Sequence, residues 1–356
     1  MTLTNIAKRK FTAVVSVTLI CMLFGILYPL IFQPVVQRGP LWHSNFNGAF
    51  IGLFLGLAVM LGEMFLFQSL SRRLRFSVFI ALQTLYYLVV IHVCVISVMV
   101  THLVIAHGYT FAGALQSPDF QPYFFGGEYV KINLYAFVMI FLVNFVRRVN
   151  RMLGQNALAN FITGKYHNPV EEERVFMFLD LKASTGIAEK LGHKRYHRFL
   201  NDFFFDITPA IVESKGEIYQ YVGDEVVVTW TKDRGLRDAN CINCFFRIAA
   251  AIAKVSDKYE RRYGFIPTFK AGYHIGAVIT GLIGDIKRDI VFHGDTVNTA
   301  SRIRSECTVV KRDLLLSHSL LERLSISSYL TPESIGKIKL RGKEEEIELY
   351  AIKEAA

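Results

Sequence analysis

Acidic residues are nearly missing from the first 150 positions, where only Glu63, Asp119 and Glu128 stand against ten lysines and arginines. The remaining 206 residues hold 30 basic and 27 acidic side chains, so the formal charge of +10 belongs mostly to the N-terminal part. A basic excess at the ends of apolar runs marks a lipid bilayer and gives no sign of a nucleic-acid partner. Cysteine is scarce too. Cys21 and Cys94 lie in apolar runs, and Cys241, Cys244 and Cys307 lie in a segment of cytosolic character. Five such residues exclude a disulfide framework. Cys241-x-x-Cys244 lacks a second Cys or His pair at ligand spacing, which turns the reading from a zinc site to two thiols buried on a helix. No convincing cleavage site follows the first apolar run, whose length suits an uncleaved anchor.

What the N-terminal part does contain is four apolar spans, at about 11–32, 46–67, 76–106 and 132–146. Each approaches or exceeds the roughly 20 residues that cross a bilayer. Lys8, Arg9 and Lys10 precede the first, Arg72, Arg73 and Arg75 separate the second from the third, and Arg147, Arg148 and Arg151 follow the fourth. The other loops carry only Arg38 and Lys131. The bias predicts a multi-pass protein of the cell membrane with both termini in the cytoplasm. Gly48, Gly52 and Gly56 form a smooth stripe for a close helix neighbour, within the chain before between chains. His92, His102 and His107 on the third span raise haem or metal ligation as a weaker alternative to helix-packing hydrogen bonds. His92 and His102 stand about 80° off a common face. Glu63 reads as interfacial.

The expected domains are a four-span membrane domain at 1–146, a helical connector at 147–169 and a cytosolic domain at 170–356. In the connector, Leu142, Val146, Val149, Leu153, Asn156 and Asn160 alternate four and three apart, the a/d pattern of a short parallel coiled coil interrupted at Gly154. Pro169 requires the helix to stop near Gly164. Glu171, Glu172 and Glu173 form a charged approach to a first strand at 175–180. A helix at 185–213, a hairpin at 217–230, a helix at 236–262, strands at 267–275, 277–283 and 289–293, and a helix at 296–306 follow. That order predicts an α+β sheet domain of the ferredoxin-like, palm-like kind, behind an all-α membrane domain. Asp180 ends one apolar strand and Asp224 sits in the turn of a hairpin, where two carboxylates could hold divalent cations.

Phe178-Leu179-Asp180-Leu181-x-x-Ser184-Thr185, Tyr221-Val222-Gly223-Asp224 and Gly294-Asp295-Thr296-Val297-Asn298-Thr299-Ala300-Ser301-Arg302 resemble the class III nucleotidyl cyclase catalytic domain. The resemblance covers about residues 170–355. It implies a membrane-bound adenylate cyclase that makes 3′,5′-cyclic AMP and pyrophosphate from ATP, with two Mg²⁺ or Mn²⁺ per site. It further implies Asp180, Asp224 and the Leu181 carbonyl as metal ligands, and Ser184, Thr185 and Arg341 as phosphate-binding residues. Asn298 would orient the ribose, and Arg302 would stabilise the pentacoordinate phosphorus. Because the two halves of such a site face each other across a dimer, one catalytic domain per chain implies a head-to-tail homodimer. Gln220 and Val291 occupy the purine-selecting positions and match neither usual pair, which keeps GTP as an alternative substrate. A diguanylate cyclase and a catalytically silent receptor or scaffold are further readings. The first fails on Val222, where its signature turn has glycine, and the second on the retention of Asp180, Asp224, Asn298 and Arg302.

Overall fold

The computed structural model describes residues 5–32, 41–67, 70, 74, 76–118, 120, 127–153, 157–325 and 330–354. Arg38, Arg72, Arg73, Arg75, Asp119, Gly154 and Asn156 lie outside the described residues, as do the side chains of Lys8, Arg9, Lys10, Arg147, Arg148, Val149, Arg151 and Leu153. The chain divides into two compact units, essentially Ala7–Val149 and Asn150–Ala356.

The first unit is helical: α1 (Asn5–Phe32), α2 (Leu41–Leu61) continuing as a π-helical turn (Gly62–Phe67), α3 (Phe76–His107), a short α4 (Phe111–Leu115) and α5 (Gly127–Leu153). Four windows within them are long and apolar enough to cross a membrane: Phe11–Tyr28, Phe46–Phe67, Ala81–Ile105 and Tyr129–Val146. The glycine stripe is used within the chain. A Cβ on Gly48 would sit 2.1 Å from the Gly25 carbonyl oxygen, and one on Gly52 would sit 2.3 Å from that of Cys21. Side chains at these places would force α1 and α2 apart. Glu63 is buried on the π-helical turn, where it accepts hydrogen bonds from Gln83 and from the Tyr87 hydroxyl. Polar partners on α3 make that burial affordable in an apolar bundle.

In the second unit, α6 (Ala157–Ile162) leads through turns into β1 (Val170–Leu181). Then come α7 (Ser184–Leu191), α8 (His193–Glu213), β2 (Glu217–Val222), β3 (Glu225–Thr231), α9 (Lys232–Leu236), α10 (Asn240–Lys254) and α11 (Ser256–Tyr263). The chain finishes with β4 (Phe269–Ile283), β5 (Asp289–His293), α12 (Asp295–Val309), β6 (Leu314–Ser317), α13 (His318–Leu321), β7 (Leu330–Lys339) and β8 (Glu346–Glu354). The strands form one sheet in the order β2-β3-β1-β4-β6-β8-β7, with β5 paired to β4; every pair is antiparallel except β4 with β6.

Three sequence expectations change here. The charged approach is itself strand, because Glu171–Arg174 pair with β4 and the Glu172 carboxylate accepts from Arg174, Thr280 and Tyr166. The helix expected at 185–213 breaks at Gly192, whose φ of 69° suits a residue without a Cβ. The two strands expected at 267–283 are one, since Gly276 is a packing position and not a turn: a Cβ there would meet the Thr296 hydroxyl at 2.5 Å.

One face of the sheet carries Val175, Met177, Leu179, Val226, Val228 and Trp230 against α8, α10 and α11. Cys241 and Cys244 are buried in that layer as free thiols, and burial pushes both up to about 12. The other face carries Phe176, Phe178, Val227 and Val278 against Val297 and Ala300 of α12. Alternation along β1 and β3 therefore puts Asp180 and its cross-strand neighbour Glu225 on the α12 face.

Candidate active site

Asp180 is carried to the last turn-facing position of β1 by a run of fully buried apolar residues, and its own side chain is largely buried. Asp224 follows Gly223, whose φ of 62° closes the two-residue turn between β2 and β3. The two carboxyl groups are close neighbours, and burial and that neighbour hold Asp180 above the usual carboxylate range. Two cations pull the other way. Arg304 Nη1 lies 3.2 Å and Lys270 Nζ 3.5 Å from the same oxygen, Asp180 Oδ2. Arg304 Nη2 lies 2.8 Å from Glu225 Oε2, out of line for a hydrogen bond, and burial raises the Glu225 pKa as well.

This donor set fits a divalent cation. Like-charged carboxyl groups in contact, with a buried Glu225 oxygen lacking a hydrogen bond beside them, are held together at an electrostatic cost that a metal would relieve. Among the described residues no three His, Cys, Asp or Glu side chains are gathered for a metal, so protein ligation would rest on this pair and backbone oxygen.

Glu225, Lys270 and Arg304 were not singled out from the sequence. The Asp180 register partners, Glu225 on β3 and Lys270 on β4, follow only once the strands are paired. Arg304 requires the approach of α12 to β4, which Gly272 allows: a Cβ there would lie 2.1 Å from the Arg304 backbone nitrogen.

The remaining candidates lie apart from this pair. Asn298 is exposed on α12, one turn before Arg302, and Arg302 Nη2 lies 3.5 Å from the point where a Gly342 side chain would begin. Lys343 in that turn pairs with Asp295 at the start of α12, which fastens the exposed Arg341 beside Arg302. The rings of Tyr219 and Phe292, the chain neighbours of Gln220 and Val291, meet at 4.9 Å. A bulge between Ile218 and Gln220 pairs Gln220 with Val227, so that Gln220 and Tyr219 both address the α12 face. Ser184 is half-buried near Tyr196, and Thr185 is exposed; both stand at the start of α7, where backbone amides lack intrahelical acceptors. The membrane histidines do not share a site: His92 Nδ1 is 2.7 Å from the Leu88 carbonyl oxygen, while His102 Nδ1 is 3.5 Å from Asn47 Nδ2.

A sheet with this order, a carboxylate pair at a strand end and an Asn/Arg helix across its face define a nucleotidyl cyclase catalytic fold. The structure of a bacterial light-regulated adenylyl cyclase matches it at a TM-score of 0.54 and 21% identity, over 63% of this chain and 65% of that one. Residues 167–354 match the family described as the adenylate and guanylate cyclase catalytic domain, and the chain belongs to that family. It is 34% identical over 223 residues to adenylate cyclase 2 of Rhizobium meliloti (strain 1021), covering 63% of this chain and 61% of that protein. It is 30% identical over 183 residues to an adenylate cyclase of Anabaena cylindrica, covering 50% of this chain and 36% of that protein. The chain thus spans less than two thirds of the length of either relative.

Proposed function

We propose that the protein is a membrane-bound adenylate cyclase, acting as a homodimer that converts ATP into 3′,5′-cyclic AMP and pyrophosphate. The observation that carries the reading is the Asp180–Asp224 carboxyl pair set against Lys270 and Arg304. Divalent cations, Mg²⁺ or Mn²⁺, would be held by Asp180, Asp224 and the Leu181 carbonyl, and when bound supply charge neutralisation at the 3′ oxygen and at the leaving pyrophosphate. Asn298 would orient the ribose, and Arg302 would place its guanidinium on the phosphoryl oxygens as their charge rises. Ser184, Thr185 and Arg341 would meet the outer phosphates.

Exposed Asn298 and half-buried Arg302 share the side of α12 turned away from Val297 and Ala300, which pack on the sheet, and this favours pairing each half site with the other half of a second copy. The charge bias of the loops favours both termini, and the catalytic domain with them, on the cytoplasmic side.

Product identification tests the proposal. The full-length protein in lipid discs, given ATP or GTP with Mg²⁺ or Mn²⁺, should release cyclic AMP and pyrophosphate, faster from ATP. Faster turnover of GTP replaces the adenine reading with the guanine one, which Gln220 permits because its amide can present either its donor or its acceptor end to a purine. Nucleotide binding without pyrophosphate release leaves the scaffold reading.

A further inference from the structure

Within the membrane unit, α1, α2, α3 and α5 line a half-open cavity of about 220 Å³. Its wall is aliphatic and aromatic over most of its extent, with Ile51, Leu55, Val95, Met99, Ala136 and Val143 representative. The tight α1–α2 seam at Gly25, Gly48 and Gly52 forms one side, so these glycines also keep the space clear of side chains. The polar groups in the wall are the hydroxyls of Tyr28 and Tyr135, the latter donating to the Phe24 carbonyl oxygen, and Asn47 on α2, which faces His102 on α3.

That pair is poorly satisfied by itself. Among the described residues its hydrogen-bond contact is long, 3.5 Å from Asn47 Nδ2 to His102 Nδ1, whereas an amide offers two donors and an acceptor and a neutral imidazole one of each. With Nδ1 accepting, the ring proton sits on Nε2 and remains a donor. Polar groups facing an apolar cavity inside a membrane bundle are costly unless something joins them. The volume sets the size of what could: an apolar cavity of about 150 Å³ accepts a single benzene ring, and drug-sized ligands need about 300 Å³ or more.

We propose that this cavity is a binding site for a small, one- or two-ring apolar molecule carrying one hydrogen-bonding oxygen, a phenol or a cyclic ketone, with the oxygen on Asn47 and His102. The site is independent of the catalytic reading. It has a direct line to the connector in the sequence, because α5, which supplies Ile132 to Val143 of the wall, is the helix from which the chain passes to residues 157–169.

The test uses the full-length protein in phosphatidylcholine discs, titrated with 1-naphthol and, as the ring without the oxygen, naphthalene; uptake by empty discs is subtracted. Saturable binding of one naphthol per chain is expected. Ala136→Phe, which fills the space, should weaken it by about tenfold or more, and His102→Leu should bring naphthol down to the affinity of naphthalene, roughly the tenfold that one hydrogen bond supplies. His102→Leu keeps the helix contacts apolar, so it stays informative if the bulkier variant fails to fold. Uptake that never exceeds that of empty discs overturns the proposal, as does saturable binding indifferent to both substitutions. Retention of a stoichiometric acyl lipid that naphthol does not displace, read by native mass spectrometry, also overturns it.

Discussion

Arg302 and Arg304 stand two residues apart on α12, and the roughly 200° between them sends one guanidinium toward Gly342 and the other to Asp180. One helix therefore presents arginines on two opposite sides. Arg304 faces the sheet and neutralises the carboxylates of its own chain, while Arg302 with Asn298 faces outward.

The outward face leads to a complementation test. Asp180→Ala and Arg302→Ala should each abolish cyclase activity, yet the two variants co-expressed should recover up to about a quarter of the wild-type rate. Half of the dimers would be mixed, and each of those would hold one intact site of two. Cyclic nucleotide release from the co-purified pair is the measurement; no recovery in a demonstrably mixed dimer argues that each chain builds its own site.

The inward face predicts a pH effect. Arg304 lowers the pKa of Asp180 against burial and Asp224, so Arg304→Gln should raise it further. The acid limb of the rate–pH profile should then move to higher pH. Adding Glu225→Gln removes another negative neighbour and should move the limb part of the way back. Initial rates at saturating metal, followed across the acid range, decide the sign.

How much of this was legible beforehand depends on what each residue answers to. Asp180, Asp224, Asn298 and Arg302 sit in local motifs, so a short window of sequence exposes them. Lys270, Glu225 and Arg304 owe their place to strand register and to a helix lying close on β4, both long-range facts. Apolar length revealed the four membrane helices, but hydropathy says nothing about partners. Glu63 shows this: Gln83 and Tyr87, which make its burial tolerable, come from the next span. The glutamates before Val175 misled in the same way, since charge suggested a loop while Arg174, Thr280 and Tyr166 were waiting for Glu172.

Arg174 should be a stability determinant. It is 2% exposed, donates to Glu172, Glu217 and Thr229, and stacks on the Phe292 ring at 4.7 Å. Arg174→Met takes the nearer cation from two part-buried carboxylates, Glu172 and Glu217, the second keeping Arg234 at 3.4 Å, and should cost about 3 kcal/mol. Because Phe292 adjoins Val291, nucleotide KM should rise in the surviving folded fraction. Denaturant midpoints and KM measured on the same preparation test both outcomes.

His274 supplies a pH-dependent term of known direction. Burial, with Lys343 and Arg323 nearby, lowers its pKa to about 4, and its Nδ1 meets Ser317 Oγ at 2.7 Å. In the unfolded chain the ring titrates near 6.5, so between about 6.5 and 4 the unfolded state binds the additional proton. The folded form should lose up to about 3 kcal/mol as pH falls through that window, and nothing from this group above it. His274→Gln should flatten that part of the stability profile; an unchanged slope would mean that the ring is charged in the folded protein.

Gly272 and Gly276 together fix how far the outer surface of α12 stands from the sheet. That distance is a tolerance for the whole assembly, since any side chain at either position would lift the helix and carry Asn298 and Arg302 outward with it. If the outer surface of one copy must meet the carboxylates of another, the gap between two protein chains is set by two side chains that were never added.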